Sequence, residues 1–358
     1  MLSVEQAQEA FENIPLLELG LMAEAEKAKH HALNAPITFV IDRTVNYTNV
    51  CNVDCLFCAF YRHEGDAEAY VLPYDVIAHK AQGLLDAGGT QLLVQGGVNP
   101  ALPLRYYLDL VKRLRADFPT LTLHCFSPAE IEGMAHVSGQ SIRSVLAALI
   151  DVGLDSIPGG GAEILHDEVR HKISPKKTNT LGWLHVMAEA HALGLKTTAT
   201  MMYGSVERPE HVMHHLMQIH QLQEKTGGFT AFIPWPLQKP NTKLEKLPRV
   251  TTGQDFLRMI ALSRLMLDNI PNIQSSWLTV GEKLCQTALW FGANDLGGLI
   301  LEEGVVTEAG INYQPKSVAE ACKLIHATGR DAAQRDTQYH IIKSFPALRS
   351  TQQLIAAV

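Results

Sequence analysis

The chain has 358 residues, 46% of them hydrophobic, and a formal net charge of −7 with acidic and basic residues interspersed. That is apolar material for a large core, and it leaves no basic stripe of the kind a nucleic-acid backbone requires. No apolar run reaches the roughly 20 residues of a membrane span, and the opening MLSVEQAQEAFENI lacks the basic and apolar regions of an export signal.

In chain order, residues 1–36 read as a helical extension, polar and acidic with helical spacing. From residue 37 onward, short β-rich stretches alternate with longer amphipathic ones, the pattern of βα units around a parallel sheet. Strands are expected at 37–42 (ITFVID), 91–97, 121–126, 154–161, 196–204, 229–235 and 272–277, with a weaker one at 293–301. Helices are expected at 103–118 and 180–194, where apolar residues recur at i, i+3, i+4 and i+7. Eight βα units need about 250 residues, which 37–310 supplies. The expected fold is therefore α/β, a (β/α)8 TIM-type barrel, with 311–358 as a C-terminal tail packed on it.

In such barrels the active site lies at the C-terminal ends of the strands. The polar motifs open there: a cysteine loop after ITFVID, then GGVNP, FSPAE, GGGAE and GSVE, each after its own strand. Six cysteines without an export signal point to a reducing, cytoplasmic compartment, where clustered thiols hold metal or do chemistry. Three of them, Cys51, Cys55 and Cys58, fall as C-x-x-x-C-x-x-C within NYTNVCNVDCLFCAFYRH. A structural zinc site wants four ligands and a disulfide framework wants pairs, whereas three thiolates can hold three irons of a 4Fe-4S cluster and leave the fourth open. Zinc with a distant fourth ligand is the alternative. Without metal the loop is expected to be poorly anchored, since thiolates have little else to hold.

This spacing, with Phe57 just before the third cysteine, resembles the radical S-adenosylmethionine (SAM) superfamily. The resemblance implies a 4Fe-4S cluster on Cys51, Cys55 and Cys58, SAM chelating the open iron, a 5′-deoxyadenosyl radical, and a low-potential electron donor such as a flavodoxin or ferredoxin. It implies that Gln95, Gly96 and Gly97 pair with the ammonium group of SAM, and that Thr200, Gly204 and Glu207 in TMMYGSVE serve its ribose and carboxylate.

Further motifs, QGGVNP, FSPAEI, LDSIPGGGAEIL, GGFTAFIPW, IQSSW and GANDLGG, resemble the cyclic dehypoxanthine futalosine synthases of the futalosine route to menaquinone. That resemblance implies an oxidoreductase that abstracts the ribose C4′ hydrogen and closes the carbon radical onto the substrate's own benzoate ring. Cys125, Cys285 and the EEG at 302–304 depart from the family's usual residues. Aminofutalosine synthases and the tyrosine-using deazaflavin synthase subunits are the related alternatives. A non-catalytic iron–sulfur protein is the remaining one, and its mark, a fourth cysteine near the loop, is missing.

Glu163 and Asp295, carboxylates in glycine-rich strand-end loops, are candidates for the proton acceptor that restores aromaticity, with helix capping or loop hydrogen bonding as the alternative. Trp235 and Trp277 either pack the barrel or stack on the substrate ring. Cys125, Cys285 and Cys322 are expected to be buried packing residues. His211, His214, His215 and His220 are expected on an exposed polar helix face.

Overall fold

A computed structural model describes residues 2–347. β1 (Ile37–Val40) and β2 (Asp42–Val45) form one run of chain, interrupted at Ile41. β3 (Gln91–Val94), β4 (Thr122–Cys125), β5 (Ser156–Ile157), β6 (Lys196–Tyr203), β7 (Phe229–Pro236) and β8 (Asn272–Ile273) follow, each parallel to the one before it. β9 (Asp295–Gly298) closes the ring, because Gln274 at the end of β8 bridges Asp295 and β9 pairs with β1. The (β/α)8 barrel read from the sequence is thus present, every expected strand in its place.

Helices cover the outer face of the sheet for reasons visible in the sequence. Leu104–Asp117 starts after Pro103 and buries Leu104, Tyr107, Leu110, Val111 and Leu114, one stripe of a 3.6-residue period. Thr180–Ala192 starts where the Asn179 side chain accepts from Gly182 N–H. Pro128–Ser138 opens on a reciprocal capping box between Ser127 and Glu130 and stops at Gly139, whose φ of 65° is left-handed. With helices outside and side chains filling the barrel, β6 is buried on both faces from Thr197 onward, its threonines included.

The chain before β1 forms helices Val4–Asn13 and Leu16–Lys27. The second is fastened below the barrel by Lys27, whose Nζ donates to the Leu289 and Ala293 carbonyls at 2.9 and 3.3 Å. The stretch from 311 onward does more than lie on the barrel. After the helix Val318–His326, β10 (Ala332–Arg335) pairs parallel with β1, Ile37 opposite Ala332, and β11 (Ile341–Phe345) runs antiparallel to β10. β1 is therefore held between β9 and β10, and its continuation β2 turns to β3. AAQR escapes sequence detection because it has four residues, none β-branched or aromatic. The last part of the expected tail, 348–358, lies outside the described residues. Among the described residues no helix is long and apolar enough to cross a membrane.

Candidate active site

A cavity of about 440 Å³ opens at the C-terminal ends of the strands. It collects Cys51, Cys55, Cys58 and Phe57 from the loop after β2, Gln95, Gly96 and Gly97 from the end of β3, Glu163 from the loop after β5, and Trp235 and Trp277 from the far wall. Segments 180 residues and more apart in sequence meet in one space, as the ring of strand-end motifs implied.

The cysteine loop is built before any metal is considered. Cys51 N–H donates to the Arg62 carbonyl at 3.0 Å, Asn52 N–H to Val98 at 3.1 Å and Leu56 N–H to Ile173 at 2.8 Å. The Arg62 guanidinium gathers the carbonyls of Ala59, Phe60 and Tyr61 at 3.0 to 3.2 Å. The expectation that the loop has little but its thiolates to anchor it is therefore corrected: the backbone and Arg62 set its path. All three thiols are free, and they face one cavity, as a three-cornered cluster site requires. Burial pushes the Cys55 thiol up to about 12, partly relieved by the Lys177 ammonium, and burial raises Cys58 too. Deprotonation of these thiols is thus linked to the arrival of a cation.

The double glycine is explained by closeness. A Cβ at Gly97 would lie 2.2 Å from the Val50 carbonyl and 2.8 Å from Cys51 Cβ, and one at Gly96 would lie 2.8 Å from the Tyr47 ring. Only bare backbone lets β3 end against the cysteine loop. Gly96 N–H donates to Glu130 at 3.0 Å, and Glu130 also accepts from Tyr47 Oη at 2.9 Å and from Ser127. Burial raises this carboxyl to about 7. Glu130 was missed as a support of the site, although its S-x-x-E capping signature stands in FSPAE.

Glu163 lies at the mouth with a left-handed φ of 41°, costly for a residue with a side chain. Its Oε1 accepts from Lys177 Nζ at 2.9 Å, Arg170 stands 3.8 Å from Oε2, and Oε2 has no hydrogen-bond partner among the described residues. Lys177 is buried, which works against its charge, yet Cys55 and Glu163 outweigh that and its pKa rises. Its ammonium stands 5.3 Å from the centre of the Phe57 ring. Lys177 carries no sequence motif and was not anticipated.

Four of the expected residues are elsewhere. Asp295 is fully buried at the barrel floor, accepting from Arg335 at 2.5 and 3.0 Å, Thr38 at 2.5 Å and Gly297 N–H at 2.8 Å. A carboxylate so filled, away from the cavity wall, is in no position to take a substrate proton. Thr200 gives its hydroxyl to the Gly159 carbonyl at 2.5 Å. Glu207 accepts from Gly204 N–H, Ser205 and Arg249 at 2.6 to 3.0 Å and so shapes the turn after β6. Thr200, Gly204 and Glu207, expected at the ribose and carboxylate of SAM, stand off the cavity wall and are occupied by hydrogen bonds within the chain.

The histidine expectation also fails: His211, His215 and His220 are buried, and only His214 is partly open. His215 Nδ1 accepts from Leu165 N–H at 2.9 Å, and Arg208 donates to His211 and Glu168, so a guanidinium already sits where those side chains and His166 approach. Cys125, Cys285 and Cys322 are buried as expected, and Cys285 adds a 3.2 Å bond from Sγ to the Ser275 carbonyl.

Two features of the wall were unforeseen. Trp277 is pinned by a 2.7 Å bond from its indole N–H to the Gly298 carbonyl and by the Lys316 ammonium 4.3 Å from its ring centre. Asp42, Thr44 and Asn46, alternate residues of the first strand, all face the cavity. Their D-x-T-x-N alternation was legible in the sequence as an inward polar row.

Comparison with known proteins adds to this geometry. The sequence profile of the radical SAM superfamily matches residues 45–219, and that of the CofH/MqnC C-terminal region matches 226–347. The chain is 43% identical over 345 residues to the cyclic dehypoxanthine futalosine synthase of Halalkalibacterium halodurans, covering 96% of this chain and 92% of that one. It is 38% identical over 323 residues to the 5-amino-6-(D-ribitylamino)uracil–L-tyrosine 4-hydroxyphenyl transferase of Archaeoglobus fulgidus, covering 89% of this chain and 92% of that one. Among solved structures it resembles the FeFe-hydrogenase maturase HydG from Carboxydothermus hydrogenoformans, with a TM-score of 0.73 at 17% identity, covering 94% of this chain and 77% of that one.

Proposed function

The chain belongs to the radical SAM superfamily, in the group that carries the CofH/MqnC C-terminal region, and from that premise we propose that it cyclises dehypoxanthine futalosine to cyclic dehypoxanthine futalosine in menaquinone biosynthesis. The observation that carries this reading is the end-to-end likeness to the Halalkalibacterium synthase. A single cavity holding three thiols, a bare-backbone corner and two indoles supports it.

Cys51, Cys55 and Cys58 hold a 4Fe-4S cluster, and the backbone at Gly96 and Gly97, with Gln95 beside it, receives the ammonium group of SAM. Bound together, and reduced by a low-potential donor of the flavodoxin or ferredoxin kind, cluster and SAM supply the 5′-deoxyadenosyl radical that removes the ribose C4′ hydrogen. Phe57 and Lys177 close this end of the cavity. Glu163, tied to Lys177 but with no hydrogen bond to Oε2 among the described residues, offers an acceptor to a polar hydrogen of the bound molecules. Trp235 and the pinned Trp277 give a rigid apolar wall for the benzoate ring. Holding ring and C4′ in a near-attack arrangement is worth about 7 to 11 kcal/mol in well-oriented cases, more than one side chain's acid–base help.

The related reading, transfer of a tyrosine-derived group to a ribitylaminouracil, is favoured by the Archaeoglobus likeness. The test is anaerobic incubation of reduced, iron-reconstituted protein with SAM and either dehypoxanthine futalosine or tyrosine plus 5-amino-6-(D-ribitylamino)uracil. A product lighter than its substrate by two hydrogens, in the first mixture alone, is expected. Turnover of the second mixture alone overturns the proposal.

A further inference from the structure

Cyclisation leaves the benzoate ring with one hydrogen too many at the attacked carbon, so that hydrogen must leave as a proton. Among the described residues, the cavity wall carries three carboxylates, Asp42, Glu163 and Glu303, and no histidine. Two are held: Glu163 by two cations, Lys177 at 2.9 Å and Arg170 at 3.8 Å, and Glu303 through both oxygens by Val305 and Val306 N–H at 3.0 and 2.6 Å.

Asp42 differs. Among the described residues, the one recorded hydrogen-bond partner of its carboxylate outside its own backbone is Ile300 N–H, 2.9 Å from Oδ1. The nearby cation, Arg335, is spent on Asp295. The wall opposite is cut away to admit this carboxylate: a Cβ at Gly298 would lie 2.2 and 2.3 Å from its two oxygens. The same Gly298 fixes Trp277 through its carbonyl, so the Asp42 carboxylate and the indole wall share one anchor. The GANDLGG and IQSSW motifs thereby acquire a joint purpose around residue 42.

We infer that Asp42 is a catalytic residue, the acceptor of the ring proton after the carbon–carbon bond has formed. The assignment rests on the cyclisation reading above. The C4′ hydrogen leaves as an atom to the deoxyadenosyl carbon. The C4′ radical and one ring π electron make the new bond, and the ring C–H bond then breaks. Its proton goes to Asp42 Oδ2, and the remaining unpaired electron passes to a one-electron acceptor of the iron–sulfur class. Burial, opposed by Ile300 N–H and the Arg335 charge, raises the Asp42 carboxyl to about 6. It is thus ionised near neutrality yet basic enough to hold a proton, as a general base should be.

The test is Asp42→Asn in the reconstituted enzyme, with SAM, reductant and dehypoxanthine futalosine. The amide oxygen still accepts from Ile300, so 5′-deoxyadenosine should form within a few-fold of the parent. Cyclised product per 5′-deoxyadenosine should fall by about 10²-fold, the usual weight of a general base. Deuterium at the attacked ring carbon should lower the variant's yield further and leave the parent's unchanged. If Asp42→Asn fails to load iron, Gly298→Ala keeps residue 42, crowds its carboxylate and should uncouple the two products in the same sense. Unchanged coupling in Asp42→Asn, or parallel loss of both products, overturns the assignment and leaves the cyclisation reading standing. A parent that makes no cyclised product overturns that reading, and the assignment with it.

Discussion

Arg335 grips both oxygens of Asp295, at 2.5 and 3.0 Å, from the strand on the other side of β1. Both side chains are essentially shut off from solvent, at 2% and 0% exposure. Arg335→Met strands a buried charge and should lower unfolding free energy by about 3–5 kcal/mol, read as a fall in the urea midpoint. Adding Asp295→Asn should restore most of it. Asp295→Asn alone should leave the ratio of cyclised product to 5′-deoxyadenosine unchanged, in contrast to Asp42→Asn.

The ordinary cysteines should separate from the cluster cysteines. Alanine at Cys51, Cys55 or Cys58 should abolish most of the about four irons bound per reconstituted chain. Cys125→Ala and Cys285→Ala should keep them. The second should lose about 1 kcal/mol of stability with its hydrogen bond to Ser275. Iron assay and thermal melts give both readings.

Gly97→Ala forces a methyl against the Val50 carbonyl, a clash of backbone that no rotamer relieves. A cost of about 1–3 kcal/mol and reduced iron loading are expected. Gly139→Ala meets no neighbouring atom at its left-handed turn, so it should lose stability without loss of iron. Equal iron loading in Gly97→Ala and the parent would count against the packing account of the double glycine.

His124 is buried in the barrel with Nδ1 2.8 Å from Ser156 Oγ, and burial, helped by Arg335, lowers its pKa to about 3. It stays neutral in the folded protein while the unfolded chain protonates near 6.5. The unfolded state therefore binds the extra proton, and stability is lost as pH falls below about 6.5. His124→Gln removes that linkage. The stability of the parent relative to the variant should fall by about 1.4 kcal/mol per pH unit below that point; a constant difference from pH 7 to 5 would refute it.

What the sequence disclosed and what it hid follow from how far each signal reaches. The βα alternation and the cysteine spacing are local patterns, so eight strands and a cluster of three thiols at one cavity could be read directly. Lys177 owes its place to Glu163 across a loop and a short helix that carry no motif, and Asp42 owes its place to Gly298, far off in the chain. Asp295 misled because DLGG looks like a strand-end loop, whereas its aspartate starts the strand and points to the floor. TMMYGSVE misled because a turn that must satisfy its own N–H groups uses the same polar residues as a binding loop. The histidines misled because Pro209–Thr226 turns their face toward the loop after β5, where Leu165 meets His214 and His215.

The placing of β10 has a consequence for biosynthesis. β1 emerges early from the ribosome, but the strand that covers its side and the cation that neutralises Asp295 are both encoded past residue 331. A nascent chain halted before that point carries an uncovered strand edge and an unpaired buried acid, the features that invite edge-to-edge association. Completion of the barrel floor thus waits for β10, and a chain cut before it should be a sticky, quality-control substrate rather than a smaller working barrel.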